Sequence, residues 1–396
     1  MGLFRIVLLS AILCLASAGI AVPSGHSTGG PAGAWDREGA AKYLDERMDV
    51  WFEKAKKLRT GRERTACVSC HTTVPYVMAR PALRRAMKIG EPAPQEARLI
   101  DEITRRVADN DAHQPFYDHT ESKKTESRGT ESVLNALMLA CADAAQGRRE
   151  PGAATRQAFL RLWATQRTDG AWDWLDFGLE PFESNDGAYY GAALAALAIG
   201  TAPGGPRDRS PESIAGLAKL RGYLKEKYAA QKTFNRTWLL LAAARLPYLL
   251  AVAQREALLK EIQSLQRADG GWALDSLGPW RWDKAEAPFR APGTLDAALL
   301  ARSDGYATGL IVYTLRQAGV STGHPAVARG LQWLRANQQS VQVGEHAWPA
   351  WRAHSLNFDR EHGGEKGEPW RRLFMSDAAT AFAVLALTAS DNGPAR

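Results

Sequence analysis

Two kinds of apolar segment alternate along this chain, six times each, and the alternation leaves few architectures open. One kind carries charges along one face: residues 36–57, 95–109, 152–166, 211–229, 253–266 and 325–338. The other is rich in Ala and Leu and poor in charge: residues 72–88, 128–145, 186–199, 235–246, 304–318 and 377–389. AYYGAALAALAIG and DAATAFAVLALTAS are typical of it. Both kinds place apolar residues at helical spacing. A helix with one polar face lies at a surface, whereas a helix apolar nearly all round must be covered on every side. The two sets therefore predict an outer and an inner layer, joined as six repeated helical hairpins. The small side chains of the second set let inner helices approach closely.

The junctions repeat as well. QRTDGAW runs from Gln166 to Trp172 and QRADGGW from Gln266 to Trp272, each at the end of an outer helix. A third copy, RGLQWLRANQ, runs from Arg329 to Gln338, with Trp348 further on. These stretches resemble the QW repeats of squalene–hopene cyclases and their protein prenyltransferase relatives. That pattern reads basic–Gly–x–x–aromatic–Leu–x–x–x–Gln–x–x–x–Gly–x–Trp. The first two copies match its second half, with Leu162 and Ile262 at the Leu position, and the third matches its first half. The resemblance covers residues 35–390 and implies an all-α (α/α)6 toroid, six inner helices ringing a central cavity. It also implies that the N-terminal ends of the inner helices line the cavity mouth. It says little of activity, since one toroid serves cyclases, transferases and non-enzymatic domains.

Residues 1–22 read as a signal peptide, with Arg5, an apolar run from Ile6 to Leu15 and the small-x-small site Ala16-Ser17-Ala18. A secreted or periplasmic location is expected. Residues 23–34 read as a flexible linker and 391–396 as a tail. The net charge is +7, but basic and acidic residues are interspersed. No basic strip alternates with aromatics, so nucleic acid is not an expected partner, while peripheral contact with an anionic membrane surface is compatible with the charge.

Within ERTACVSCHTTVPYVM, Cys67, Cys70 and His71 form C-x-x-C-H, the attachment sequence for c-type haem. Two thiols three residues apart on a helical turn face one way and can add to the two vinyl groups of one porphyrin edge. The His that follows then ligates iron. A Cys67–Cys70 disulfide and a zinc site are the alternatives, the latter needing ligands from elsewhere. Inner helix six neighbours inner helix one in a closed ring, so Met375 is the expected second iron ligand. His113 and His119, before the second inner helix, or an open site are the other options.

Squalene cyclases use D-x-D-D as the proton donor. The nearest stretch here is ESNDGA, which puts Glu183 and Asp186 at the outer acidic positions and Asn185 at the donor position. Asn supplies no acidic proton. Ser303-Asp304 and Ser376-Asp377 open further inner helices, where they read as N-caps or as acids of the mouth. The catalytic candidates are thus Glu183, Asp186, Asp304 and Asp377. Trp172, Trp174, Phe177, Phe182, Trp280 and Trp282 suggest an aromatic wall or core. Together these features lead us to expect an exported, haem-bearing toroid with redox or electron-transfer activity on an apolar, isoprenoid-like molecule and a redox partner protein. A terpenoid cyclase with a disulfide, and a binding scaffold for a partner or polysaccharide, are the alternatives.

Overall fold

The computed structural model describes residues 34–55, 65–108, 115–184, 186–205, 208, 210–280, 297–357, 361 and 368–390. The signal peptide, nearly all of the linker, His113, Asn185, Trp282 and the tail lie outside them.

Among the described residues twelve helices form six hairpins, and a further one-turn helix, Ala297–Leu300, lies outside them. In chain order they are α1 (Arg37–Ala55) with α2 (Thr73–Ala86), α3 (Pro94–Ala108) with α4 (Glu121–Ala145), and α5 (Ala153–Ala164) with α6 (Gly187–Thr201). Next come α7 (Pro211–Lys227) with α8 (Thr233–Ala243), α9 (Val252–Ser264) with α10 (Gly305–Gln317), and α11 (Pro325–Ala336) with α12 (Phe374–Thr388). The even-numbered helices pack in one closed ring, α2 on α4, then α6, α8, α10 and α12, which returns to α2. This is the all-α (α/α)6 toroid. Its inner helices are buried nearly all round: in α6 every residue from Tyr189 to Ile199 is covered. Close approach depends on small residues. A Cβ on Gly309 of α10 would lie 2.6 Å from the Ala383 backbone nitrogen of α12.

The centre of the ring is filled rather than hollow. Tyr190, Trp238, Tyr306 and Phe382 contact one another edge-on, with Tyr190–Trp238 ring centres 5.3 Å apart and Trp238–Phe382 5.4 Å apart. Such edge-to-face pairs are favourable arrangements for aromatic rings. The plug leaves separate cavities at the two ends of the ring.

The junction repeats staple the hairpins. Gln166 Nε2 donates to the carbonyls of Gly170 (3.0 Å) and Gly216 (2.9 Å), so α5 is tied to α7. Gln266 Nε2 donates likewise to Gly270 and Ala326, both at 2.8 Å, and ties α9 to α11. Gln338 Nε2 donates to Asp36 O (2.8 Å), which joins α11 to the start of α1. Each tryptophan clamps its own outer helix. Trp172 Nε1 donates to Leu162 O and Trp272 Nε1 to Ile262 O, both at 2.8 Å.

In the third copy this role falls to Trp351, not Trp348. Trp351 is fully buried and donates to Leu334 O at 2.7 Å. A hairpin, β1 (Gln339–Val343) with β2 (His346–Ala350), is inserted between the glutamine and the tryptophan and displaces the motif. Trp348 lies on that hairpin, with Lys42 Nζ 5.2 Å from its ring centre. Replacing Trp272 or Trp351 by Phe leaves a buried carbonyl without its donor and should cost about 1–3 kcal/mol in each case. Trp348→Phe should cost less than either, as read by denaturant unfolding. Equal losses at Trp348 and Trp351 would reject the assignment.

Candidate functional site

A cavity of about 390 Å³ opens at the N-terminal ends of the inner helices. This is within the roughly 300–1,000 Å³ typical of small-molecule sites. The turn before α2 supplies Cys67, Cys70 and His71; the segment entering α12 supplies Trp370, Phe374 and Met375. The loop before α6 adds Phe177, Phe182, Glu180 and Glu183. Trp51 of α1 and Tyr117 complete the aromatic part of the wall.

The cysteine turn is fixed by its serine and threonines. Ser69 Oγ accepts from the backbone nitrogens of Thr72 (3.2 Å) and Thr73 (3.1 Å), and Thr73 Oγ1 accepts from Ser69 N (2.8 Å). This local capping satisfies donors that the first turn of α2 would otherwise leave open. Trp51 Nε1 donates to Cys67 O at 2.7 Å. Cys67 and Cys70 are both buried and are not joined by a disulfide. Burial above all, then the Glu183 carboxylate, pushes the Cys70 thiol well above its ordinary range. Cys70 is therefore a neutral thiol near pH 7, unsuited to act as a thiolate nucleophile.

His71 is oriented by a buried relay. Its Nδ1 lies 2.8 Å from Thr72 Oγ1, and Thr72 Oγ1 donates to Asp377 Oδ2 at 2.8 Å. The single hydroxyl proton of Thr72 is thereby spent on a carboxylate that only accepts. His71 Nδ1 must then be the donor to Thr72, and in the neutral ring the lone pair resides on Nε2. Asp377 is itself held by Arg47 through two bonds of 2.6 and 2.9 Å and by the Tyr43 hydroxyl at 3.0 Å. The imidazole also stacks on Phe374, with centres 4.0 Å apart, and meets Trp51 edge-on at 5.3 Å.

The acidic candidates separate into different places. Glu183 lines the cavity. Asp377 sits within the first turn of α12, behind His71; it does not cap that helix, whose N-cap is Leu373. Asp186 stands at the N-cap of α6 and lies 3.7 Å from Lys232 Nζ, which is bound more closely, at 2.6 Å, to the buried Glu180. Asp304 caps α10, accepting from Tyr306 N and Ala307 N, and borders another cavity with His354 and Arg352. His119 is exposed on the turn before α4 and is not part of the first cavity. Trp172 and Trp174 are core, while Phe177 and Phe182 do line the cavity. Sequence reasoning missed Arg47, Thr72, Trp51 and Trp370. A charged Asp377 inside an otherwise apolar helix was the one available signal that a buried partner exists. Among the described residues no group of three or more His, Cys, Asp or Glu side chains could hold a metal ion, so the zinc alternative finds no site there.

No family model matches the chain, and no curated protein matches it. Among solved structures it is similar to an inactive variant of the alpha-1,6-mannanase of Salegentibacter sp. HEL1_6 in complex with alpha-1,6-mannotriose. The identity is 12%, the TM-score 0.48, and the match covers 89% of this chain and 100% of that chain. That neighbour is a mannanase, not a squalene cyclase, and the family resemblance drawn from the junction repeats is corrected accordingly. In this chain the repeats act as hairpin staples, a role that does not specify an activity. The redox or electron-transfer activity expected from the C-x-x-C-H motif, and the terpenoid cyclase alternative and apolar isoprenoid ligand expected from the repeats, find no support in that neighbour and are withdrawn.

Burial foremost pushes the Asp304 carboxyl up to about 6, although three backbone donors oppose the shift. With the folded value above the unfolded one, the native state binds the extra proton. The stability this group contributes is present below about pH 4 and is lost as pH rises through about 6. Asp304→Asn keeps a good N-cap side chain and should flatten that part of the profile. Melting midpoints of the two proteins between pH 4 and pH 7.5 would converge or diverge accordingly; parallel profiles would contradict the shift.

Proposed function

We propose that this chain is an exported small-molecule-binding toroid whose N-terminal cavity carries a covalently attached haem c. Cys67 and Cys70 would hold it through thioethers and His71 would ligate its iron. Met375, on the same cavity, would be the candidate second ligand. The observation that carries this reading is the relay from His71 Nδ1 through Thr72 to Asp377. Ligating histidines commonly donate the other ring N–H to an outer-shell acceptor, which fixes the tautomer and the ring plane. The placement of both cysteines on one cavity with the imidazole is the second support.

When bound, haem would supply an iron centre whose properties its protein ligands set. The chain's own residues do the rest. Thr72 and Asp377 hold the imidazole; Phe374 and Trp51 fix its faces and edge. Glu180, Glu183, Asn357 and Arg371 are among the polar points of a wall that is largely apolar and aromatic, and they would select what enters.

Expression with export in a host that matures c-type haem tests the reading. The expected product is coloured, shows a Soret band, and keeps a mass gain of one haem under denaturing conditions. Cys67→Ser with Cys70→Ser should abolish the covalent mass gain, and His71→Ala should shift the spectrum of any haem retained. A colourless, unmodified chain from a host that matures a control cytochrome would overturn the proposal.

A further inference from the structure

The opposite end of the ring holds a cavity of similar size, about 390 Å³, to which all six hairpins contribute. Its walls are the C-terminal ends of the inner helices: Val77 and Met78 of α2, Leu197 of α6 and Leu385 of α12 make the apolar part. The polar part is Arg245, just past the end of α8, with Tyr313 and Gln317 of α10. Arg85 stands at the exposed rim, and no Asp or Glu is among the lining residues.

Arg245 differs from other guanidinium groups of the interior. Arg47, Arg80 and Arg106 each pair with a carboxylate, those of Asp377, Asp45 and Glu131. The Arg245 bonds run to neutral oxygens only: the Tyr313 hydroxyl at 3.0 Å, Thr201 Oγ1 at 3.3 Å and Gln317 Oε1 at 3.4 Å. Its Nε is buried and has no partner. Helix C-termini around the cavity offer it partial negative charge. They do not replace a counter-ion, because none of its hydrogen bonds goes to a helix carbonyl. A cation with its fork incompletely used, over an apolar chamber, matches a molecule with a carboxylate head and an apolar body.

We propose that this second cavity binds a small amphipathic carboxylate, its head on Arg245 and Tyr313 and its body against Val77, Leu197 and Leu385. The site is separate from the haem cavity, and the aromatic plug lies between them. It stands or falls independently of the proposed function.

Decanoate is a suitable probe and decanol its uncharged control, with binding followed by calorimetry on the full mature chain. Decanoate should bind about tenfold or more tightly than decanol, as expected for a charge-assisted pair. Arg245→Gln should remove that preference, and Arg85→Gln should reduce it without affecting the fold, since Arg85 is exposed. Melting midpoints of both variants separate lost binding from lost folding. The Cys141 thiol lines the same cavity, pushed up to about 11 by burial. Decanoate should therefore slow its alkylation, read at the Cys141 peptide by mass spectrometry, and decanol should not do so at equal concentration. Equal affinity for the acid and the alcohol, or an unchanged preference in a folded Arg245→Gln, would overturn the proposal. Binding seen only after removal of residues 391–396 would overturn it too, making the chain's own tail the occupant.

Discussion

The ion pair of Arg47 with Asp377 joins the first and last hairpins of the toroid. Arg47 belongs to the first outer helix and Asp377 to the last inner one, 330 residues apart, and both are about 2% exposed. Burying two charges costs several kcal/mol per ion unless each is well partnered. Here both carboxylate oxygens are used: Oδ1 accepts from Arg47 Nε and Tyr43, and Oδ2 from Arg47 Nη2 and Thr72. Arg47 Nη2 also reaches Trp370 O at 2.9 Å. A satisfied cluster of this kind tolerates one geometry, and through Thr72 that geometry is imposed on His71. A contact between the first and last hairpins is thus also the contact that orients the His71 imidazole.

The same economy runs through the rest of the fold. A ring of inner helices needs neighbours on every side, which the Ala- and Gly-rich surfaces provide by close approach. The outer helices are too polar to hold position by burial alone. Glutamine side chains fix them by donating to backbone carbonyls of the following hairpin, and tryptophans fix them from within. The aromatic plug then divides the interior. One end receives helix N-termini, two thiols and an imidazole; the other receives helix C-termini and an uncompensated guanidinium. The two cavities are chemically distinct because the helix polarity and the residues at the helix ends are distinct.

Much of the fold was legible because its physics is local. Apolar periodicity distinguishes an inner helix from an outer one without knowledge of its neighbours, and the glutamine of each junction lies within its own repeat. Trp351 was missed because a strand pair interrupts the spacing and leaves Trp348 as a decoy. The inner hollow expected of a toroid was also mistaken, since whether Tyr190, Trp238, Tyr306 and Phe382 line or fill the centre depends on packing that spacing does not encode. At the site, Cys67, Cys70 and His71 are contiguous and visible, and ring closure brings Met375 to the same cavity. Asp377 read as a helix cap because its partners, Tyr43 and Arg47, are more than 300 residues away. The family resemblance failed for a related reason: the repeats on which it rested report how hairpins are joined, not what the ring encloses.

The tautomer of His71 tests this account most directly. In haem-free protein labelled with nitrogen-15, neutral His71 should carry its proton on Nδ1 and show an unprotonated Nε2. That is the only state compatible with a Thr72 hydroxyl committed to Asp377. Observation of the Nε2–H form would mean that the relay does not set the ring, and the link between ring closure and the site would be lost.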